Sequence, residues 1–185
     1  MRTIIPILAL AIGAAVSIPA FAAQVSDAEA IAIAKPQELV ASADIDAVAR
    51  ADILKPVDAF YGFWNNGSAA LLSAALSTTF IDHTLPPGRP QGPTGPAAAA
   101  NGFLVAVPDL HCIVVQRLVV GDRVVSHLRF TGHFTGAFMG KQGHGETIDF
   151  IATDILRVRA SKVTDNWHLE DNLAFMQQIG IVAGR

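Results

Sequence analysis

Residues 146–159 read ETIDFIATDILRVR, and apolar and polar side chains alternate along most of that run. Side chains of a strand point to opposite faces in turn. Ile148, Phe150, Ala152, Leu156 and Val158 therefore share one face, the mark of a strand with one side against a core. Asp154 falls in the same phase. A carboxylate there has to be hydrogen-bonded, paired with a cation, or placed beside a wet cavity. In a cavity its pKa would rise, and it would serve as a proton donor or acceptor. A structural bond to a neighbouring side chain is the competing explanation.

The same period extends outward from this run. LHCIVVQRLVV (110–120) and RVVSHLRFTGHF (123–134) flank Gly121-Asp122, a turn between two strands. In the second of these, His133 shares a phase with His127, Arg129 and Thr131, which reads as solvent-facing. Only a bulge would bring His133 into a pocket as a proton carrier. Phe134 and Phe138 are placed to close a cavity mouth. Downstream, SKVTDNWHL (161–169) is a fourth strand, in which Val163, Asp165, Trp167 and Leu169 take one phase and Asn166 and His168 the other. Trp167 either lines an apolar pocket or fills the core. His168 either exchanges a proton near neutral pH or bonds to a helix. EDNLAFMQQIG (170–180) is a closing helix, and Asp171 stands where it would cap it, do pocket chemistry, or both.

Upstream the period is helical. SDAEAIAIA (26–34) has Ser26 and Glu29 in a capping-box pattern. KPVDAFYGFWNNGSAALLSAAL (55–76) spaces Val57, Phe60, Tyr61 and Trp64 as a helix, with Gly67 interrupting before a second helix. Tyr61 and Trp64 would face a pocket from that side. FIDH (80–83) puts Asp82 and His83 at a helix–loop junction, with His83 a candidate for facing the cavity. The proline- and glycine-rich loop that follows is long enough to cover a pocket, and residues 95–107 form a further short helix. Helices first and a curved antiparallel sheet afterward predict an α+β cone with an apolar pocket between the layers. The division expected is 1–22 signal peptide, 23–56 leader with short helices, and 57–185 the pocketed domain.

Composition narrows the function. The chain has 185 residues, 13 basic and 16 acidic, for a net charge of -3, with no basic block to bind nucleic acid. Arg2, an apolar run and Ala20-Phe21-Ala22 match a secretory leader, so the folded chain is expected in the periplasm or outside the cell without stable membrane insertion. The single cysteine, Cys112, lies in an apolar run and cannot form an internal disulfide. The histidines form no recognisable zinc motif, GKQGHG lacks the full phosphate-loop pattern, and neither G-x-S-x-G nor a Rossmann fingerprint occurs. No metal and no organic cofactor is expected.

Three segments carry a family likeness: FIDHTLPPGRPQG (80–92), residues 107–140, and ATDILRVRASKVTDNWHLEDNLAFMQQIG (152–180). Together they resemble the SnoaL-like polyketide cyclases of the NTF2-like superfamily. The resemblance implies a curved sheet wrapped by helices around a deep apolar pocket. It also implies cofactor-independent ring closure, in which aspartate and histidine move protons on a small hydrophobic carbonyl compound. A homodimer is implied in the same way. His168 stands where relatives often carry an acid after the tryptophan, and Phe134 where many carry a histidine. On this reading Asp154, His168, Asp171, His133 and His83 are the candidate proton carriers. Tyr61, Trp64, Phe134, Phe138 and Trp167 are the candidate substrate contacts. A lyase or isomerase is an expected variant of the chemistry, and a non-catalytic binding or dimerisation domain is the alternative.

Overall fold

The computed structural model describes residues 25–184, so the leader expected at 1–22 lies outside the described residues. Helix α1 (Asp27–Ile33) opens with the reciprocal capping box of Ser26 and Glu29. A short strand β1 (Glu38–Ala41) follows. Helix α2 (Ala47–Asn66) starts where the Asp46 side chain accepts from the backbone of Val48 and Ala49, and Gly67 ends it in a left-handed turn. The helix runs through Pro56, which forfeits one internal bond but does not break it. The division expected between residues 56 and 57 therefore falls inside α2.

Helix α3 (Ala69–Ala75) leads directly into strand β2 (Leu76–Asp82). Helix α4 (Thr94–Ala106) follows the proline-rich loop, and then come the long strands β3 (His111–Val120) and β4 (Arg123–Phe134). A small hairpin of β5 (Ala137–Phe138) and β6 (Lys141–Gln142) precedes β7 (Glu146–Arg159), β8 (Lys162–Glu170) and helix α5 (Asn172–Gln178). The main sheet has the order β1-β3-β4-β7-β8-β2. Its four central strands are antiparallel, as the alternation predicts, but both edges pair in parallel, β1 with β3 and β2 with β8. Asp82 and His83 accordingly lie at the end of an edge strand, not at a helix–loop junction.

The concave face of the sheet packs on the helices through aromatic rings. Trp64 meets Phe130 edge-on at 6.2 Å, Phe130 stacks on Phe150 at 5.2 Å, and Phe150 contacts Phe175 at 5.3 Å. No helix among the described residues is long and apolar enough to cross a membrane.

Candidate active site

Four polar side chains interrupt the apolar concave face in a single row. Arg117 on β3 pairs in register with Ser126 on β4, Ser126 with Asp154 on β7, and Asp154 with His168 on β8. All four residues are buried. Helix α2 supplies partners to the row. Asp58 accepts from Arg117 Nη1 at 2.6 Å, and Tyr61, one turn later, donates its hydroxyl to Asp154 Oδ2 at 3.1 Å. Asp58 also meets Lys35, whose side chain is exposed.

A cavity of about 460 Å³ opens over the Asp154–His168 end of the row. Its walls are mainly apolar: Phe60, Trp64 and Phe80 on one side, Phe103, Phe138 and Phe150 on the other, with Pro86 and Pro87 of the loop. Asp82, Arg89, Asn166, His168, Glu170 and Asn172 are the polar lining beside Asp154.

His168 is gripped from both ring nitrogens. Nε2 lies 3.1 and 3.0 Å from the Asp82 oxygens, and Nδ1 lies 2.7 Å from Glu170 Oε1. Burial works against a charge on the ring, but the bonds and charges of Glu170 and Asp82 outweigh it and raise the pKa from 6.5 to about 9. His168 is thus an imidazolium at neutral pH, with both protons committed to carboxylates. Burial also opposes the Glu170 carboxylate, yet its bond to His168, followed by the charges of His168 and Arg89, holds the carboxyl below its ordinary value. Asp154 has no such partner. Burial lifts its carboxyl from 3.8 to about 7, with the His168 charge and the Tyr61 hydroxyl opposing the rise and the Glu170 and Asp82 charges adding to it.

The structure brings Asp154, His168, Trp64 and Phe138 to the cavity wall. Tyr61 stands behind Asp154, fully buried, and touches the carboxyl in place of any ligand. The remaining candidates lie elsewhere. His83 and Trp167 stack on each other at 4.2 Å on the opposite face of the sheet from His168, where His83 also bonds Asp165 at 2.7 Å and Arg123 and Arg157 lie over the indole. A register shift between Arg157 and Val158 separates Val163 from the phase of Asp165 and Trp167, which turns the tryptophan outward. His133 is paired with Asp109 at 2.7 Å and is 56% exposed; no bulge turns it inward, since β4 and β7 stay in register from Arg123 to Phe134. Asp171 caps α5 through the Ala174 N–H and does not line the cavity. Phe134 is wholly buried in the core.

Neither Asp82 nor Glu170, the two acids that grip His168, is a candidate on the sequence reading. Asp82 shares the inward phase of Phe80 along β2, and Glu170 lies two residues beyond His168 on β8. Alternation from His168 along β8 reaches Glu170, whereas Asp82 stays hidden because no local sign in the sequence marks residues 76–82 as a strand. Among the described residues no group of three or more His, Cys, Asp or Glu side chains is arranged to hold a metal ion.

Residues 56–179 match the family described as SnoaL-like polyketide cyclase. Among solved structures, a Bacillus cereus protein named "Putative polyketide cyclase" is 38% identical, covers 82% of this chain and 95% of its own, and superposes with a TM-score of 0.74. TsrD from Streptomyces laurentii is 23% identical, covers 72% of this chain and 98% of its own, and has a TM-score of 0.65. IdmH from Streptomyces antibioticus is 22% identical, covers 68% of this chain and 96% of its own, and has a TM-score of 0.61. The last two share the fold. No curated protein matches the chain.

Proposed function

This chain belongs to the SnoaL-like polyketide cyclase family, and on that premise we propose that its pocket transfers protons on a small hydrophobic carbonyl compound, with Asp154 as the group that takes and returns the proton. As a carboxylate, Asp154 removes a proton from the carbon next to the carbonyl, and the C–H electrons pass to the carbonyl oxygen as an enolate. The enolate then attacks a second carbonyl in a cyclase, is protonated at another carbon in an isomerase, or expels a leaving group in a lyase. The protonated Asp154 returns its proton to the product. The substrate's own carbonyl is the electron sink, so the step balances within enzyme and substrate.

The neighbours of Asp154 support the chemistry electrostatically. The His168 imidazolium offers positive charge in a largely dry site, where it acts more strongly than in water. Asn166 lines the cavity, is 6% exposed, and has no hydrogen-bond partner at Oδ1 among the described residues. Its Nδ2 donates to no partner among the described residues and is available to the oxygen where charge develops.

The observation that carries this reading is a buried carboxyl on an apolar cavity wall, with its pKa brought to about 7. Such a group is half in its base form and half in its acid form near neutral pH. The elementary step is tested by following exchange of the α-protons of 2-tetralone into heavy water by NMR. The wild type should accelerate exchange with a rise in rate centred near pH 7. Asp154→Asn should lower the rate by about 100-fold or more. A folded Asp154→Asn protein that exchanges at the wild-type rate would remove Asp154 from the reaction.

A further inference from the structure

A cation without a counter-ion stands at the cavity wall. Arg89 lines the pocket, and among the described residues its guanidinium has no hydrogen-bond or ion-pair partner; only its backbone N–H is bound, to Pro86 O at 3.1 Å. Glu170 feels its charge after the larger influences of burial and His168, but the two side chains form no salt bridge. An arginine fork with free N–H groups beside an apolar cavity is built to meet a planar anion.

The loop that bears it is fixed in place. Gln91 Oε1 accepts from Asp82 N at 2.8 Å while Gln91 Nε2 donates to Asp82 O at 2.9 Å, closing residues 82–91 into a stapled loop. Inside it Thr84 N donates to Asp82 Oδ1 at 2.9 Å, and Thr84 Oγ1 accepts from His168 N, also at 2.9 Å. Pro86, Pro87 and Pro90 restrict the backbone between those ties. The start of α4 packs against Arg89: a Cβ on Gly95 would lie 3.7 Å from its side-chain methylenes and 2.5 Å from Pro90 O. Little ordering is left for a ligand to impose on this loop.

We propose that Arg89 is a specificity-determining residue that binds a carboxylate on the substrate, so that the pocket takes a hydrophobic carbonyl compound that also carries an acid group. The carbonyl end of this assignment rests on the proton-transfer reading; the acid end does not. Charge sets the orientation. Asp154, Asp82 and Glu170 repel an anion from the catalytic end, and the apolar walls offer it nothing. His168, the other lining cation, already holds Asp82 and Glu170 at its two ring nitrogens, so Arg89 is the lining cation left to reward the anion, and the carbonyl is left to reach Asp154.

The test uses a matched pair of probes, 6-acetyl-2-naphthoate and its methyl ester, which differ in the negative charge and one methyl group. Their dissociation constants are measured by calorimetry with the wild type, Arg89→Gln and Arg89→Lys. The wild type should bind the acid at least about 10-fold more tightly than the ester. Arg89→Gln should weaken the acid by about 10- to 100-fold and leave the ester within about 2-fold, with Arg89→Lys between them. Equal weakening of both probes, a wild type that prefers the ester, or a wild type that does not bind the acid would each overturn the proposal. Asp154→Asn should still bind the acid, which separates failure here from failure of the proton-transfer reading.

Discussion

Replacing Asp154 with Asn should make the protein more stable, and increasingly so as pH rises. In an unfolded chain Asp154 loses its proton near 3.8, but in the fold it does so at about 7. Between those values the folded chain holds a proton that the unfolded chain has released, so this residue's contribution to stability falls as pH rises through the window and stays low above it. A displacement from 3.8 to about 7, at 1.36 kcal/mol for each pH unit, amounts to about 4 kcal/mol. Asn keeps an oxygen for the Tyr61 hydroxyl but cannot ionise. The difference in unfolding free energy between variant and wild type should therefore grow by about 4 kcal/mol, in the variant's favour, between about pH 4 and pH 8. His168 also tilts the curves: its folded pKa of about 9 exceeds 6.5, so its contribution is complete below 6.5 and is lost as pH rises through 9. That slope is common to both proteins and largely cancels in the difference. Urea unfolding followed by far-ultraviolet circular dichroism at several pH values measures it. A difference that does not change with pH would refute the claim that the folded protein buries this charge at a cost.

Three other substitutions separate the neighbours' roles. Tyr61→Phe withdraws the bond that favours the Asp154 carboxylate, so the midpoint of α-proton exchange should move up by about one pH unit; an unmoved midpoint would cut Tyr61 out of the site. His168→Gln leaves Asp82 and Glu170 in the wall without their cation, and should cost about 3–5 kcal/mol of stability at pH 7. That loss should shrink above pH 9, where the wild type gives up the same charge, and chemical denaturation at the two pH values checks it. His133→Ala should leave 2-tetralone exchange unchanged, because His133 bonds Asp109 outside the cavity; a loss like that of Asp154→Asn would return it to the mechanism.

Alternation along β7 was legible in the sequence because that strand keeps one register against β4 from end to end, which is why Asp154 could be picked out by phase alone. The same rule failed on β8, where the register shift inserts an irregularity that the sequence does not mark. The phase it shares with Val163 in the sequence puts Trp167 against a pocket or the core; in the fold it is a platform for His83 and two arginines on the outer face. The parallel edge strand β2 was missed for a different reason. Its partner β8 lies more than eighty residues downstream, and a short run ending in a proline-rich loop carries no local sign of so distant a pairing. Asp82 went with it, and with Asp82 the grip that holds His168 as a cation. Substrate-facing groups on the loop, Arg89 among them, were hidden because proline and glycine spacing predicts where a loop runs but not which side chain it turns inward.

The row across the sheet explains why Asp154, and not another acid of the wall, titrates near neutral pH. Each cation in the row is already matched by carboxylates from outside it. Arg117 is matched by Asp58, which also meets Lys35, and His168 by Asp82 and Glu170. Glu170 has an imidazole nitrogen at 2.7 Å, whereas among the described residues the Asp154 side chain has only a phenol at 3.1 Å. A neutral donor offsets part of the cost of burying a carboxylate, but far less than a contacting cation does. Burial therefore dominates at Asp154, and the bond to Tyr61, together with the His168 charge, keeps the rise from going further. The Tyr61 hydroxyl also occupies Oδ2 and leaves Oδ1 as the oxygen free to meet a substrate proton. An acid poised in this way needs two things from the fold: inward phase on a central strand, and cations that are close but already engaged. The first is written in fourteen residues of β7; the second is assembled from β2, β3, β8 and α2, and exists only once the chain has closed.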